Sequence, residues 1–113
     1  MPEPDCPKCP FTPMEVVNLE KGLHVDECPQ CHGRWYDHGE LAKVVAHPDR
    51  LSGELARGMF RERPSTAVCP RCTKPMINGG LGSEFLRVDR CKEHGFWVDQ
   101  NEVRVLNKVL AEL

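Results

Sequence analysis

No stretch of this 113-residue sequence approaches the roughly 20 consecutive apolar residues that span a bilayer. The opening residues Met1-Pro2-Glu3-Pro4-Asp5 carry neither a basic region nor an apolar run, so no secretory signal is expected there. Charge of one sign is also missing: 15 Lys and Arg face 17 Asp and Glu, for a formal net charge of −2. A phosphate-binding loop and a paired nucleophile and base are absent too. These gaps argue against a membrane protein, a general DNA binder and a hydrolase. A fold of two repeats of about fifty residues would bury too little apolar surface for comfortable stability. What the chain does have is seven cysteines.

The cysteines fall in a pattern that occurs twice. Residues 26 to 41 read DECPQCHGRWYDHGEL and residues 89 to 103 read DRCKEHGFWVDQNEV. Asp26 aligns with Asp89, Cys28 with Cys91 and Cys31 with His94. After a one-residue deletion, Gly33 aligns with Gly95, Trp35 with Trp97, Asp37 with Asp99 and Glu40 with Glu102. Upstream of each copy stands another Cys-x-x-Cys pair, Cys6/Cys9 and Cys69/Cys72, and 18 residues separate the inner ligands both times. Two thiolates three positions apart on a tight turn can face one ion, and two such turns complete a tetrahedron. Pro7, Pro29 and Pro70 fix φ just after the first cysteine of a pair. The expected metal ligands are therefore Cys6, Cys9, Cys28 and Cys31 at one zinc, and Cys69, Cys72, Cys91 and His94 at a second. Every cysteine is used, which sets this reading above disulfide bonding.

These motifs resemble the zinc ribbons of the transcription factor IIB type, short bacterial and archaeal zinc-finger proteins. The resemblance rests on CPxC, a methionine after proline (Met14, Met76), D-x-C-x-x-C/H, then Gly, Trp, Asp and Glu-Leu or Glu-Val. It covers residues 6 to 41 and 69 to 103. His32 stands where that family usually has glycine, and repeat 2 departs further, with His94 as the fourth ligand and no proline after Cys91. The resemblance implies a zinc-ribbon fold and a link to transcription.

The fold class expected is small, metal-stabilised α+β: tandem zinc ribbons, each a β-hairpin with two knuckles followed by a helix. Residues 1–47 form the first ribbon with its helix, 48–66 a connecting segment with a short helix, and 67–113 the second ribbon with a C-terminal helix. In the first, Val16–Leu19 and Leu23–Asp26 flank the loop Glu20-Lys21-Gly22, with Gly22 suited to positive φ. Asp37 and Glu40 have the spacing of a capping box, repeated at Asp99 and Glu102. Leu41, Val44 and Val45 share a helix face that Pro48 ends. Asp49 is placed to cap the connecting helix, with Leu51, Leu55 and Met59 spaced by four. In the second ribbon, residues 76 to 78 and 84 to 90 read as strands around a glycine-rich tip, whose three glycines suggest mobility. The last helix carries Val103, Val105, Leu106, Val109, Leu110 and Leu113 over an arc of about 160°. An arc that wide packs on the other repeat or on a second chain, which leaves the oligomeric state open.

Trp35 and Trp97 read as core residues beside the knuckles rather than stacking platforms for bases. Asp26 reads as a structural carboxylate receiving backbone N–H bonds. His24, His32, His38 and His47 have no ligand role. Seven thiols in metal spacing favour a reducing cytoplasm. Metal loading takes the net charge to −5, because seven thiolates outweigh two Zn²⁺, and residues 1 to 49 hold nine acidic against four basic residues. With four protein ligands each, the sites lack the open position of catalytic zinc. The function expected is non-enzymatic: a binding or adaptor module for another protein, in transcription or translation. Two alternatives are nucleic-acid binding through Arg57, Arg61 and Arg63, and a rubredoxin-like iron redox protein on the four cysteines of repeat 1.

Overall fold

The structure is a computed structural model, and it describes residues 4–19, 22–37 and 39–112. Glu20 and Lys21 of the expected hairpin loop, His38 and Leu113 lie outside the described residues, as do Met1, Pro2 and Glu3.

Seven strands form one antiparallel sheet: β1 (Glu15–Asn18), β2 (His24–Glu27), β3 (Arg34–Asp37), β4 (Phe60–Val68), β5 (Pro75–Gly80), β6 (Arg87–Cys91) and β7 (Gly95–Val98). Three helices complete it: α1 (Leu41–Val44), α2 (Pro48–Arg57) and α3 (Glu102–Ala111). The strand order is β1-β2-β3-β7-β6-β5-β4. Each repeat thus contributes a three-stranded ribbon, and the two join along their last strands. At the seam Trp35 lies opposite Trp97, with Tyr36 opposite Phe96 and Arg34 opposite Val98. The registers match on either side: Asp26 pairs with Trp35 in one repeat and Asp89 with Trp97 in the other. The repeats are related by an approximate two-fold about the tryptophan pair, as subunits of a symmetric dimer would be.

Alternation along the strands sorts side chains to two faces. Tyr36, Phe96, Val98, Val25 and Val88 face a core shared with Leu41, Val45, Leu51, Leu81, Leu86, Leu106 and Leu110. Trp35 and Trp97, 0% and 1% exposed, face the other way and pack with Met14, Met76 and the cysteines. They are core residues beside the knuckles. Gly33 is required there, because a Cβ on it would strike the ring of Trp97 across the seam.

Several local expectations are corrected. α1 is one turn only: Val45 is already extended, and Pro48 opens α2 at its first turn instead of merely ending α1. Pro is favoured there because its missing N–H would have had no partner. His47, not Asp49, holds the N-cap position of α2, without a side-chain cap bond, and Asp49 falls in the first turn. Of the capping box, only the Glu40 half exists: its Oε1 accepts the Asp37 N–H at 2.9 Å. α3 is preceded by Asn101 at φ 68°, with no side-chain cap bond. The glycine-rich tip is packed inward at its start. Leu81 is fully buried, and Gly82, at φ +73°, would bring a Cβ within 2.9 Å of Val109.

β4 holds nine residues, most of them in what was expected to be a connecting segment with a short helix. As the sheet's edge it buries Ala67 alone, so its sequence lacks the alternation that marks a half-buried strand. The wide face of α3 packs within the chain. Leu106 and Leu110 join Leu51 and Met59 in one cluster, Arg50 donates to the carbonyls of Leu110 and Ala111, and Asn107 accepts the Ala46 N–H. Val105 remains 44% exposed. Among the described residues, no helix is long and apolar enough to cross a membrane.

Candidate metal centres

The chain turns tightly at each Cys-x-x-Cys, and backbone N–H groups aim at the first sulfur. Lys8 N–H points to Cys6 Sγ, Gln30 N–H to Cys28 Sγ and Arg71 N–H to Cys69 Sγ, each at 3.3 Å. The turns close with His32 N–H to Cys28 C=O and Thr73 N–H to Cys69 C=O, at 2.9 and 2.8 Å. Closure leaves the residue after the second cysteine left-handed: His32 at φ 61° and Thr73 at φ 63°. Glycine suits that conformation, which accounts for its usual presence where this chain has His32. The His32 side chain is exposed and outside both ligand groups.

Two four-donor groups result. Cys6, Cys9, Cys28 and Cys31 form one; Cys69, Cys72, Cys91 and His94 form the other, and the donor atoms of each group lie within 4.8 Å of one another. Spacings along their edges can be compared with a tetrahedron. Zinc–sulfur bonds of about 2.3 Å place tetrahedral sulfurs roughly 3.8 Å apart. Cys6 and Cys31 stand 3.8 Å apart, as do Cys72 and Cys91, and His94 presents Nδ1 at 3.4 Å from Cys91. All seven cysteines are free thiols. The two donor sets fit two zinc ions.

The thiols are not equivalent without metal. Burial drives the Cys6 thiol well above the ordinary range and Cys69 to about 11. Burial opposes ionisation of Cys28 as well, but the N–H groups of Cys31 and Gln30 outweigh it and draw that thiol down to about 7. Loading therefore displaces protons held by the buried sulfurs.

Two residues the sequence reading overlooked tie the centres together. Lys8, inside the first knuckle, reaches Asp89 of the other repeat, with Nζ 2.6 Å from Oδ2. Arg71, at the matching position of the second-repeat knuckle, reaches Asp26 of the first, also at 2.6 Å. Asp26 and Asp89 are buried, and each stands two residues before a ligand, Cys28 or Cys91. So Asp26 is structural, but its partner is a guanidinium from the opposite repeat and not a backbone N–H. Burial would raise the Asp89 carboxyl; Lys8, Asn78 and Ser65 bonding to it hold it below the usual range. Arg71 also grips both oxygens of Asp37, at 2.9 and 3.1 Å. Asp37 in turn accepts the Trp35 indole N–H at 2.7 Å, matched by Trp97 and Asp99 at 3.1 Å. The signal was available: the first Cys-Pro-x-Cys motif of each repeat carries a cation between its cysteines, Lys8 or Arg71.

The basic cluster is divided. Arg57 faces Glu54 and Arg61 faces Glu84, with only Arg63 lacking an ion pair among the described residues.

Fold and donor sets define a tandem zinc-ribbon protein. Residues 5–47 match the transcription factor zinc-finger family, whose domain is the zinc ribbon of transcription factor IIB, and the first repeat is a ribbon of that type. The second donor set, in a repeat of the same plan, is consistent with a second copy. No curated protein and no solved structure matches the chain.

Proposed function

We propose that this protein is a non-enzymatic, zinc-dependent binding module that serves as an adaptor to another protein, in transcription or translation. The observation that carries this reading is the closure of both donor sets: each offers four protein ligands, which leaves no vertex of the tetrahedron for a substrate or an activated water. The ions then act on the fold, holding two ribbons whose surface does the binding. An acidic first repeat and a basic cluster engaged by Glu54 and Glu84 make phosphate a poor partner. Seven free thiols suit the reducing cytoplasm as its location.

Affinity capture with zinc-loaded protein, compared with chelator-stripped protein, tests the reading. A protein partner retained only by the loaded form is the expected result. Purified protein that instead binds nucleic acid, with an affinity falling steeply as salt rises, would replace it with the nucleic-acid reading.

A further inference from the structure

The two outer edges of the sheet differ among the described residues: a strand covers one, and none covers its counterpart. In the second repeat, β5 is flanked by β6 on one side and β4 on the other. Leu81 N–H bonds inward to Leu86 C=O, so by the two-residue period Asn78 and Gly80 turn their backbone groups outward, where they pair with Arg63 and Phe60 of β4. The first repeat has the same register. Val16 pairs with Asp26 as Asn78 does with Asp89, and Asn18 pairs with His24 as Gly80 does with Arg87. Leu19 N–H bonds inward to Leu23 C=O, and Met14 N–H bonds outward to Pro4 C=O. Val16 and Asn18 therefore also face outward. The bridge between Asp5 and Pro13 reproduces the end of β4, where Val68 pairs with Pro75. Beyond it, no strand among the described residues lies on the outer side of Glu15–Asn18.

We propose that this outer edge of β1 docks an extended, basic segment of a partner protein, added antiparallel as a further strand. The internal template is β4, which covers the equivalent edge and carries Arg61 and Arg63. The local charge asks for a cation as well. Glu15 and Glu27 lie directly opposite each other on β1 and β2, an unfavourable like-charge pair. Arg34 neutralises Glu27 at 2.8 Å, while Glu15 is exposed without an ion pair among the described residues. Val16, 50% exposed, adds an apolar contact beside it. Main-chain pairing supplies the affinity of such an addition, and side chains set its specificity.

The inference rests on the adaptor reading above. Its test uses the full zinc-loaded chain, isotope-labelled for amide NMR, and a synthetic peptide with the sequence of residues 60 to 68. At millimolar peptide the Val16 and Asn18 amides should shift and gain protection from hydrogen exchange. Val16→Pro removes an outward N–H and no internal bond, and should weaken binding about tenfold with zinc content unchanged. Glu15→Arg, at an exposed position, should weaken it several-fold and decides the matter should the proline variant fold poorly. Perturbation confined to other amides, or none, overturns the proposal. So does a wild-type dimer that Glu15→Arg or Val16→Pro converts to a monomer, since the edge then belongs to a second copy. A captured partner that binds wild type and Glu15→Arg equally rejects this edge but leaves the adaptor reading intact; if no protein partner is found, the adaptor reading itself falls.

Discussion

Glu102 shows how an aligned residue can acquire a different chemistry. Like its counterpart Glu40 it bonds to a backbone N–H, that of Asp99, but its buried Oε2 has no hydrogen-bond partner. Burial, with Asp99 nearby, raises its carboxyl to about 7. A folded-state pKa above the unfolded value means the folded chain holds the extra proton between roughly pH 4.5 and 7, so stability falls as pH rises through that window. Glu102→Gln should accordingly melt higher than wild type at pH 8, and the advantage should shrink towards pH 6; an advantage that grows on acidification would show the carboxylate to be held charged. At the second centre, His94→Cys should retain zinc, since a thiolate can occupy the same vertex. His94→Ala should lose it, and metal analysis that still gives two ions per chain for the alanine variant would remove His94 from the ligand set.

Between elements, the reciprocal bridges Lys8–Asp89 and Arg71–Asp26 make each knuckle a brace for the other repeat. Removing one partner of a buried ion pair costs about 3–5 kcal/mol, largely because the other charge is stranded. Arg71→Ala should therefore lower the melting temperature and speed loss of zinc from the cysteine-only site, although Arg71 lies in the other repeat. Zinc-release kinetics unchanged at that site would show the bridge to be dispensable. Leu110→Ala should cost about 2–5 kcal/mol by opening a cavity in the shared core, without altering molar mass in solution. Legibility in the sequence also divides at this scale. Metal spacing, the tryptophans and the β1–β2 hairpin depend on chemistry within one repeat, and the sequence displays it directly. β4, the buried tip at Leu81 and the Asp26 partner depend on what the other repeat, or a neighbouring strand, brings alongside. An exposed edge strand has no periodicity to announce it, and a cation between two cysteines looks solvated until its distant carboxylate is placed.

For the whole molecule, both donor sets sit on one seven-stranded sheet, so metal binding and folding are expected to be coupled. Structural zinc contributes roughly 10–16 kcal/mol of apparent binding free energy coupled to folding, a large sum for a chain of this size. Purified without added metal, the protein should carry close to two zinc ions, and complete chelation should abolish its cooperative melt. A well-folded apo protein would mean that the shared core suffices alone. Because β3 and β7 share a seam, stripping should also release both ribbons together, seen as one transition by circular dichroism and tryptophan fluorescence.

The seam at Trp35 and Trp97 has a consequence for how this chain can vary. Two identical subunits facing each other across such an axis must accept every mutation twice, once on each side. Joined in one polypeptide, the halves are released from that constraint. The halves differ in three places: an imidazole stands opposite a thiolate at one metal vertex, one cross-bridge uses lysine and the other arginine, and an extra strand lines one rim of the sheet. Lopsidedness of this kind lets one rim close on its own chain while the opposite rim, among the described residues, stays without a strand.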